Sequence, residues 1–162
     1  MNRDTFKILF DDNFEKLRNY IYYRCSDGDV STDIAQEVFM RVWERQIDKP
    51  PAEIIGLLYK IARDILVSHY RHEEVVAKFH TQPPQYDNAP LADEELYYND
   101  LKENYERVLM QMPAAQREVF LMNRNDELTY VEIAERLDLS VKAIEKRMRG
   151  ALQFLRVKLQ RE

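Results

Sequence analysis

The chain has 162 residues, 45% hydrophobic and 33% charged, with 24 basic groups against 29 acidic ones, which is enough apolar material for one domain or two small ones. Only three glycines occur, Gly28, Gly56 and Gly150, which argues against sandwiches, barrels and glycine-rich phosphate loops and for an all-α fold. Cys25 is the single cysteine, so an internal disulfide and a cysteine-based metal cluster are excluded and a reducing cytoplasm is expected.

The opening Met1-Asn2-Arg3-Asp4 is polar rather than an apolar signal core. Thr5 to Arg24 reads as a first helix, with Phe6, Leu9, Phe10, Phe14, Leu17 and Ile21 forming one apolar stripe at three- and four-residue spacing. Ser26-Asp27-Gly28-Asp29 reads as a turn in which Gly28 is available for a left-handed conformation. A second helix is expected from about Thr32 to Gln46, capped by Ser31 or Asp29. Its buried stripe is Ile34, Ala35, Val38, Phe39, Val42 and Trp43, and Asp33, Gln36, Glu37, Met40, Arg41 and Glu44 fall opposite. Asp48-Lys49-Pro50-Pro51 stops it. A third helix runs from about Ala52 to Glu74, with Ile54, Leu58, Ile61, Ala62, Ile65 and Leu66 inward. Its apolar run, Ile54 to Leu66, is too short and too charged to span a membrane.

The composition changes at His80. Thr81 to Pro90 holds three prolines without a helical period, and the acidic cluster Asp93-Glu94-Glu95 follows, so residues 80–100 read as a flexible acidic linker between units 1–79 and 101–162. In the second unit, helices are expected over Leu101 to Met112, ended by Pro113, and over Ala114 to Asn123, with Val119, Phe120 and Met122 mostly inward. Thr129-Tyr130-Val131-Glu132 is a capping box opening a helix that ends at Leu137. After Asp138-Leu139-Ser140, a final helix runs from Val141 to about Leu159 with Ser140 as its cap.

The last two helices carry the most specific local signal. Ile133, Ala134 and Leu137 on one, and Val141, Ile144, Met148 and Leu152 on the other, form apolar faces joined by a three-residue turn. This is the helix-turn-helix pattern, which presents the start of its second helix to a DNA major groove. Lys142, Glu145, Lys146 and Arg149 avoid the buried stripe. Lysine and arginine suit phosphates and the acceptor edge of guanine, and a glutamate can accept from cytosine. The net charge of −5 is unevenly spread, with 8 basic and 2 acidic residues from Arg136 to Arg161, as a small DNA-contacting surface on an acidic protein requires. A basic C-terminal helix complementing its own dipole is the plainer alternative.

Met112-Pro113-Ala114-Ala115-Gln116-Arg117-Glu118-Val119-Phe120-Leu121, then Leu128-Thr129-Tyr130-Val131-Glu132-Ile133-Ala134-Glu135 and Leu139-Ser140-Val141-Lys142, resemble region 4 of the extracytoplasmic-function (ECF) sigma factors of the sigma-70 family. Asp33-Ile34-Ala35-Gln36-Glu37-Val38-Phe39-Met40-Arg41-Val42-Trp43-Glu44 resembles the region 2 helix that grips RNA polymerase, and Leu58-Tyr59-Lys60-Ile61-Ala62-Arg63-Asp64 the promoter-melting helix.

The resemblance implies two small helical domains, region 2 over 1–79 and region 4 over 101–162. It implies a cytoplasmic initiation factor without cofactor, catalytic residue or membrane insertion. Asp33, Gln36, Glu37, Met40 and Arg41 would dock on the clamp coiled coil of the polymerase largest subunit, and the flap of the core enzyme is a further expected contact. Lys60, Arg63, Asp64, His69, Tyr70, Arg71 and His72 would meet the −10 element, where an unstacked base is held beside the Arg45–Gly56 loop. Ser140, Lys142, Glu145, Lys146 and Arg149 would read the −35 element, and a membrane-associated anti-sigma factor is an expected partner. The chain departs from the family pattern at Asp64, where asparagine is usual, at Leu57, where tryptophan is common, and at Glu127 and Asp138, where glycine is frequent.

Two rival readings remain. His69, His72 and His80 form no HExxH motif or ligand set, no serine elbow is present, and Cys25 lacks a flanking base, so an enzyme has no residues to stand on. A helix-turn-helix regulator with an N-terminal sensing or dimerising half shares most of the signals and differs in not acting through core polymerase alone.

Overall fold

The computed structural model describes residues 1–77 and 93–160, with side chains described for 1–72 and 100–160. Among the described residues the elements are all helices: α1 (Arg3–Cys25), α2 (Gly28–Glu44), α3 (Pro51–Ala77), α4 (Asp93–Gln111), α5 (Ala114–Arg124), α6 (Tyr130–Leu137) and α7 (Val141–Leu159). The proline-bearing stretch 81–90 lies outside the described residues. The expected linker is nevertheless shorter at its far end, because 93–100 are the first turns of α4; acidic residues there suit the positive end of a helix dipole.

Most helix ends have a visible local cause. Asn2 caps α1 by accepting from the Thr5 N–H at 2.8 Å. Asp27 caps α2 by accepting from the N–H groups of Asp29 and Val30, each at 3.0 Å. This cap starts α2 four residues before the expected Thr32, and Ser31, expected as a cap, is buried inside the helix with its hydroxyl on the Asp27 carbonyl. Gly28 is correspondingly helical, and Ser26 takes the left-handed conformation at φ 55° with its N–H on the Tyr22 carbonyl. Pro51 opens α3, the helical position that has no N–H to lose. The capping box of α6 forms as expected, with Thr129 Oγ1 accepting from the Glu132 N–H at 3.2 Å and Glu132 Oε2 accepting from the Thr129 N–H at 2.8 Å.

Helices α1, α2 and α3 pack together as a first bundle, and α5, α6 and α7 as a second, with α4 against α7. In the first, the inward stripes meet as expected, with Leu17, Ile21, Val38, Val42 and Leu58 fully buried. Phe6, Phe10, Phe14 and Phe39 form a ring cluster, Phe10 lying 5.0 Å from Phe39 and 4.7 Å from Phe14 between centroids. Trp43, expected inside, is 37% exposed at the edge of that cluster, 4.9 Å from the Phe6 ring. In the second, Ile144, Met148, Ala151 and Leu155 fill the inner face of α7. Val141 and Leu152, expected inward, stand partly in solvent, because the continuous 4-3-4 stripe passes one residue to the side of Leu152.

The two bundles are in contact. α1 lies against α5 and α3 against α6, and the buried apolar residues of both form one continuous cluster.

Candidate nucleic-acid interface

The geometry of the last two helices follows from their turn. Asp138 ends α6 in the left-handed conformation at φ 55°, its N–H bonded to the Ala134 carbonyl, a backbone state that aspartate tolerates better than most residues. Ser140 then caps α7 by accepting from the Ala143 N–H at 3.1 Å. Ile133, Ala134 and Leu137 are buried against Ile144 and Met148, which fixes the phase of α7. Ser140, Lys142, Glu145, Lys146 and Arg149 all stand exposed. The sequence placed these five on one accessible helix start, and the structure brings them there together. Glu127, the other non-glycine at a glycine-favoured position, is also left-handed, at φ 56°.

On α2, Asp33, Gln36 and Met40 are exposed and Glu37 and Arg41 half-buried. Arg41 donates to Glu37 at 2.5 Å, one turn away. Asp64, His69 and His72 of α3 line one groove with Glu37 and Arg41, about 480 Å³ in volume, so the expected polymerase and −10 faces adjoin. Lys60 and Arg63 line a different groove of about 510 Å³, shared with Lys49 and Glu53 and, from the other bundle, Glu135 and Asp138. Arg71 is exposed. Tyr70 is partly exposed, and its hydroxyl donates to the Arg24 carbonyl at the end of α1. Five of the seven residues expected at the −10 element thus divide between two grooves, Tyr70 is tied to the end of α1, and Arg71 stands exposed outside both.

Sequence reasoning missed the polar residues between the bundles. Glu118 of α5 is 2% exposed and accepts from Arg24 of α1 at 2.6 Å and from Arg147 of α7 at 3.1 Å. Arg117, also buried, donates to the Tyr23 carbonyl of α1 at 2.8 Å and to the Met110 carbonyl of α4 at 3.1 Å, so one guanidinium serves the ends of two helices. Asn19 donates to Asp126 at 2.9 Å. Burial, with a smaller contribution from the charge of Glu118, pushes the Tyr20 hydroxyl up to about 12. Burial also raises Asp126 above the usual carboxylate range, against the lowering effect of Asn19 and of the charges on Lys16 and Arg136. A signal was available: Glu118 lies four residues before buried Met122, on the stripe where an apolar residue is expected.

The fold is that of two helical bundles, the second ending in a helix-turn-helix whose last helix carries an exposed, charged face. Residues 102–155 match the family described as "Sigma-70, region 4". The chain is 24% identical to the ferric citrate uptake sigma factor FecI of Escherichia coli K12, over 92% of this chain and 87% of that one. It is likewise 24% identical to the ECF RNA polymerase sigma factor SigX of Bacillus subtilis, over 94% and 82%. Its fold matches the sigma factor RpoE of Bartonella quintana, solved with the anti-sigma factor NepR, at a TM-score of 0.62 and 19% identity, covering 96% of this chain and 97% of that one. Over nearly its whole length the chain is thus similar to ECF sigma factors, and the sigma-70 region 4 match lies on the helices α4 to α7. No helix among the described residues is long and apolar enough to cross a membrane.

Proposed function

We infer that this protein is a promoter-specificity factor: it binds core RNA polymerase, directs it to promoters with cognate −35 and −10 elements, and helps open the duplex, without catalysing a reaction itself. The observation that carries this reading is the exposed face of α7 on a region 4 helix-turn-helix, in a chain that also presents an exposed polar stripe on α2. Residues 1–79 act as the polymerase and −10 unit and 101–162 as the −35 unit, joined across 80–100. Asp33, Gln36, Glu37, Met40 and Arg41 dock on the polymerase clamp. Lys60, Arg63, Asp64, His69, Tyr70, Arg71 and His72 face the −10 element. Ser140, Lys142, Glu145, Lys146 and Arg149 read the −35 element, where their charges also meet phosphates. An anti-sigma factor covers these surfaces when transcription is not required, and the site of action is the cytoplasm.

Transcription in vitro with purified core enzyme tests this. The chain alone should start transcripts from a cognate promoter, whereas a regulator needs another sigma factor; silence across a genomic promoter library sinks the proposal. Lys146→Ala should weaken −35 recognition by about 1–3 kcal/mol if the lysine reads a base, and leave core binding intact.

A further inference from the structure

Within the second bundle, α7 is braced from one side. Its inner stripe, Ile144, Met148, Ala151 and Leu155, is buried, and Lys142, Glu145, Lys146 and Arg149 stand in solvent. Ala143, Arg147, Gly150 and Phe154 lie between these faces and are half-buried. On this flank α7 meets α5, the helix outside the helix-turn-helix. Arg147 Nη1 donates to Glu118 Oε1 of α5 at 3.1 Å, and Glu118 is 2% exposed. About one turn further along, a Cβ added at Gly150 would lie 2.5 Å from Gln116 Nε2 and 3.0 Å from its Cδ, so the Gln116 side chain is seated on the bare backbone of α7.

The apolar stripe and the flank constrain α7 in different ways. Burial of Ile144, Met148 and Ala151 is non-directional, so it tolerates a small roll of α7 about its own axis. A charge-assisted hydrogen bond is directional and weakens steeply off line. Its acceptor is itself held, because the other Glu118 oxygen accepts from Arg24 at 2.6 Å across the seam between the bundles. Arg147 also stands at the level of the helix where the −35 residues lie, next to Lys146 and between Lys142 and Arg149 in the chain.

The size of the effect follows from helix dimensions. Side chains reach about 5–6 Å from a helix axis, so a roll of about 10° displaces them by about 1 Å. Hydrogen-bond lengths are confined to a window of about 0.5 Å. A roll too small to unpack the stripe is therefore large enough to misplace a contact with a base edge.

We propose that Glu118, acting through Arg147, is a positioning residue for −35 recognition: it fixes the roll of α7 and thereby which bases Lys142, Glu145, Lys146 and Arg149 reach. This deepens, and rests on, the −35 role assigned to α7 above. Glu118 is too deeply buried to touch DNA, so its influence passes through the helix alone.

The test uses holoenzyme assembled from purified core enzyme and the full chain. The probe is a set of duplexes carrying a genomic promoter from which the wild type starts transcription, with the −35 positions randomised. Sequencing the bound fraction gives the relative affinity for each sequence, and thermal melts confirm that each variant is folded. Arg147→Met leaves Glu118 its Arg24 partner. It should lower the preference for the best −35 sequence over its single-base variants by about fivefold or more, the low end of what one good base contact supplies. The salt dependence of binding should keep its slope. Glu118→Gln should blunt the same positions, and the double variant should lose no more than Arg147→Met alone, since both act through one contact. Arg147→Lys, which keeps the charge, should recover part of the preference. Gly150→Leu, a better helix former that pushes Gln116 or α7 aside, should disturb the preference without removing a charge. Folded variants with unchanged preferences overturn the brace. So does a uniform loss across all sequences with a salt slope shallower by about one, which would make Arg147 a phosphate contact. A wild type that starts no transcript, or shows no preference at the randomised positions, would instead overturn the proposed function and the brace with it.

Discussion

Between α1 and α2 the contact is made by rings: Phe6, Phe10, Phe14 and Phe39 stack edge and face with no ionic partner among them. Between α1 and α5, one end of the same helix meets its neighbour through Asn19, Arg24, Glu118 and the Tyr23 carbonyl. Both contacts exclude water, but they answer differently to separation. An exposed ring cluster has nothing to gain from water, so the first contact is permanent wherever the bundle is folded. Charges and amides regain hydration when parted, so these polar ties are worth little net, and what holds the two bundles together is the apolar cluster they share.

The largest effect should come from damaging the permanent kind of contact. Leu58 of α3 is fully buried, and Leu58→Ala should lower unfolding free energy by about 2–5 kcal/mol through lost burial and the cavity left behind, measured by urea denaturation. A loss comparable to that of a seam substitution would erase the distinction between the two contacts. Glu118→Gln comes next. It keeps the shape and one acceptor but removes the charge shared by two arginines, and a loss of about 1–3 kcal/mol is expected. A double-mutant cycle with Arg24→Met measures how much of that loss belongs to the Arg24 contact, and a coupling near zero would leave it to Arg147 and burial.

The same contrast explains what the sequence reveals. Apolar periodicity located the stripes of α1, α2, α3 and α7, and local hydrogen-bonding chemistry located the α6 capping box and the Ser140 cap, because each of these is decided within a few residues. The start of α2 was misplaced because Asp27 competes with Ser31 and Asp29 for the same role, and only the packing of Ser31 decides between them. The exposed, charged face of α7 was legible because its charges avoid the buried stripe. The seam was not, since Asn19, Arg24, Glu118 and Asp126 each look like ordinary solvated positions until two helices about a hundred residues apart are brought together. Only Glu118, in phase with Met122, broke the local pattern.

The smallest effect, and the sharpest test of the seam's character, concerns Asp126. Burial raises its carboxyl above the usual range even though hydrogen bonds from Asn19 and Tyr23 and the charges of Lys16 and Arg136 pull it down, so the charged form is disfavoured in the folded chain relative to the unfolded one. A group whose folded pKa is raised takes up protons on folding. It therefore opposes folding most at pH values above its folded pKa, and that opposition fades as pH falls through that value. Asp126→Asn keeps an oxygen to accept from Asn19 Nδ2 and removes the charge. The variant should melt slightly higher than the wild type at pH 7, with the gap closing as the pH is lowered toward the carboxylate range, as followed by thermal melts from pH 7 to 4. A variant that melts lower at pH 7 would mean that the hydrogen bonds from Asn19 and Tyr23, with the attraction of Lys16 and Arg136, outweigh burial, and the seam would then be held by its polar partners rather than merely tolerating them.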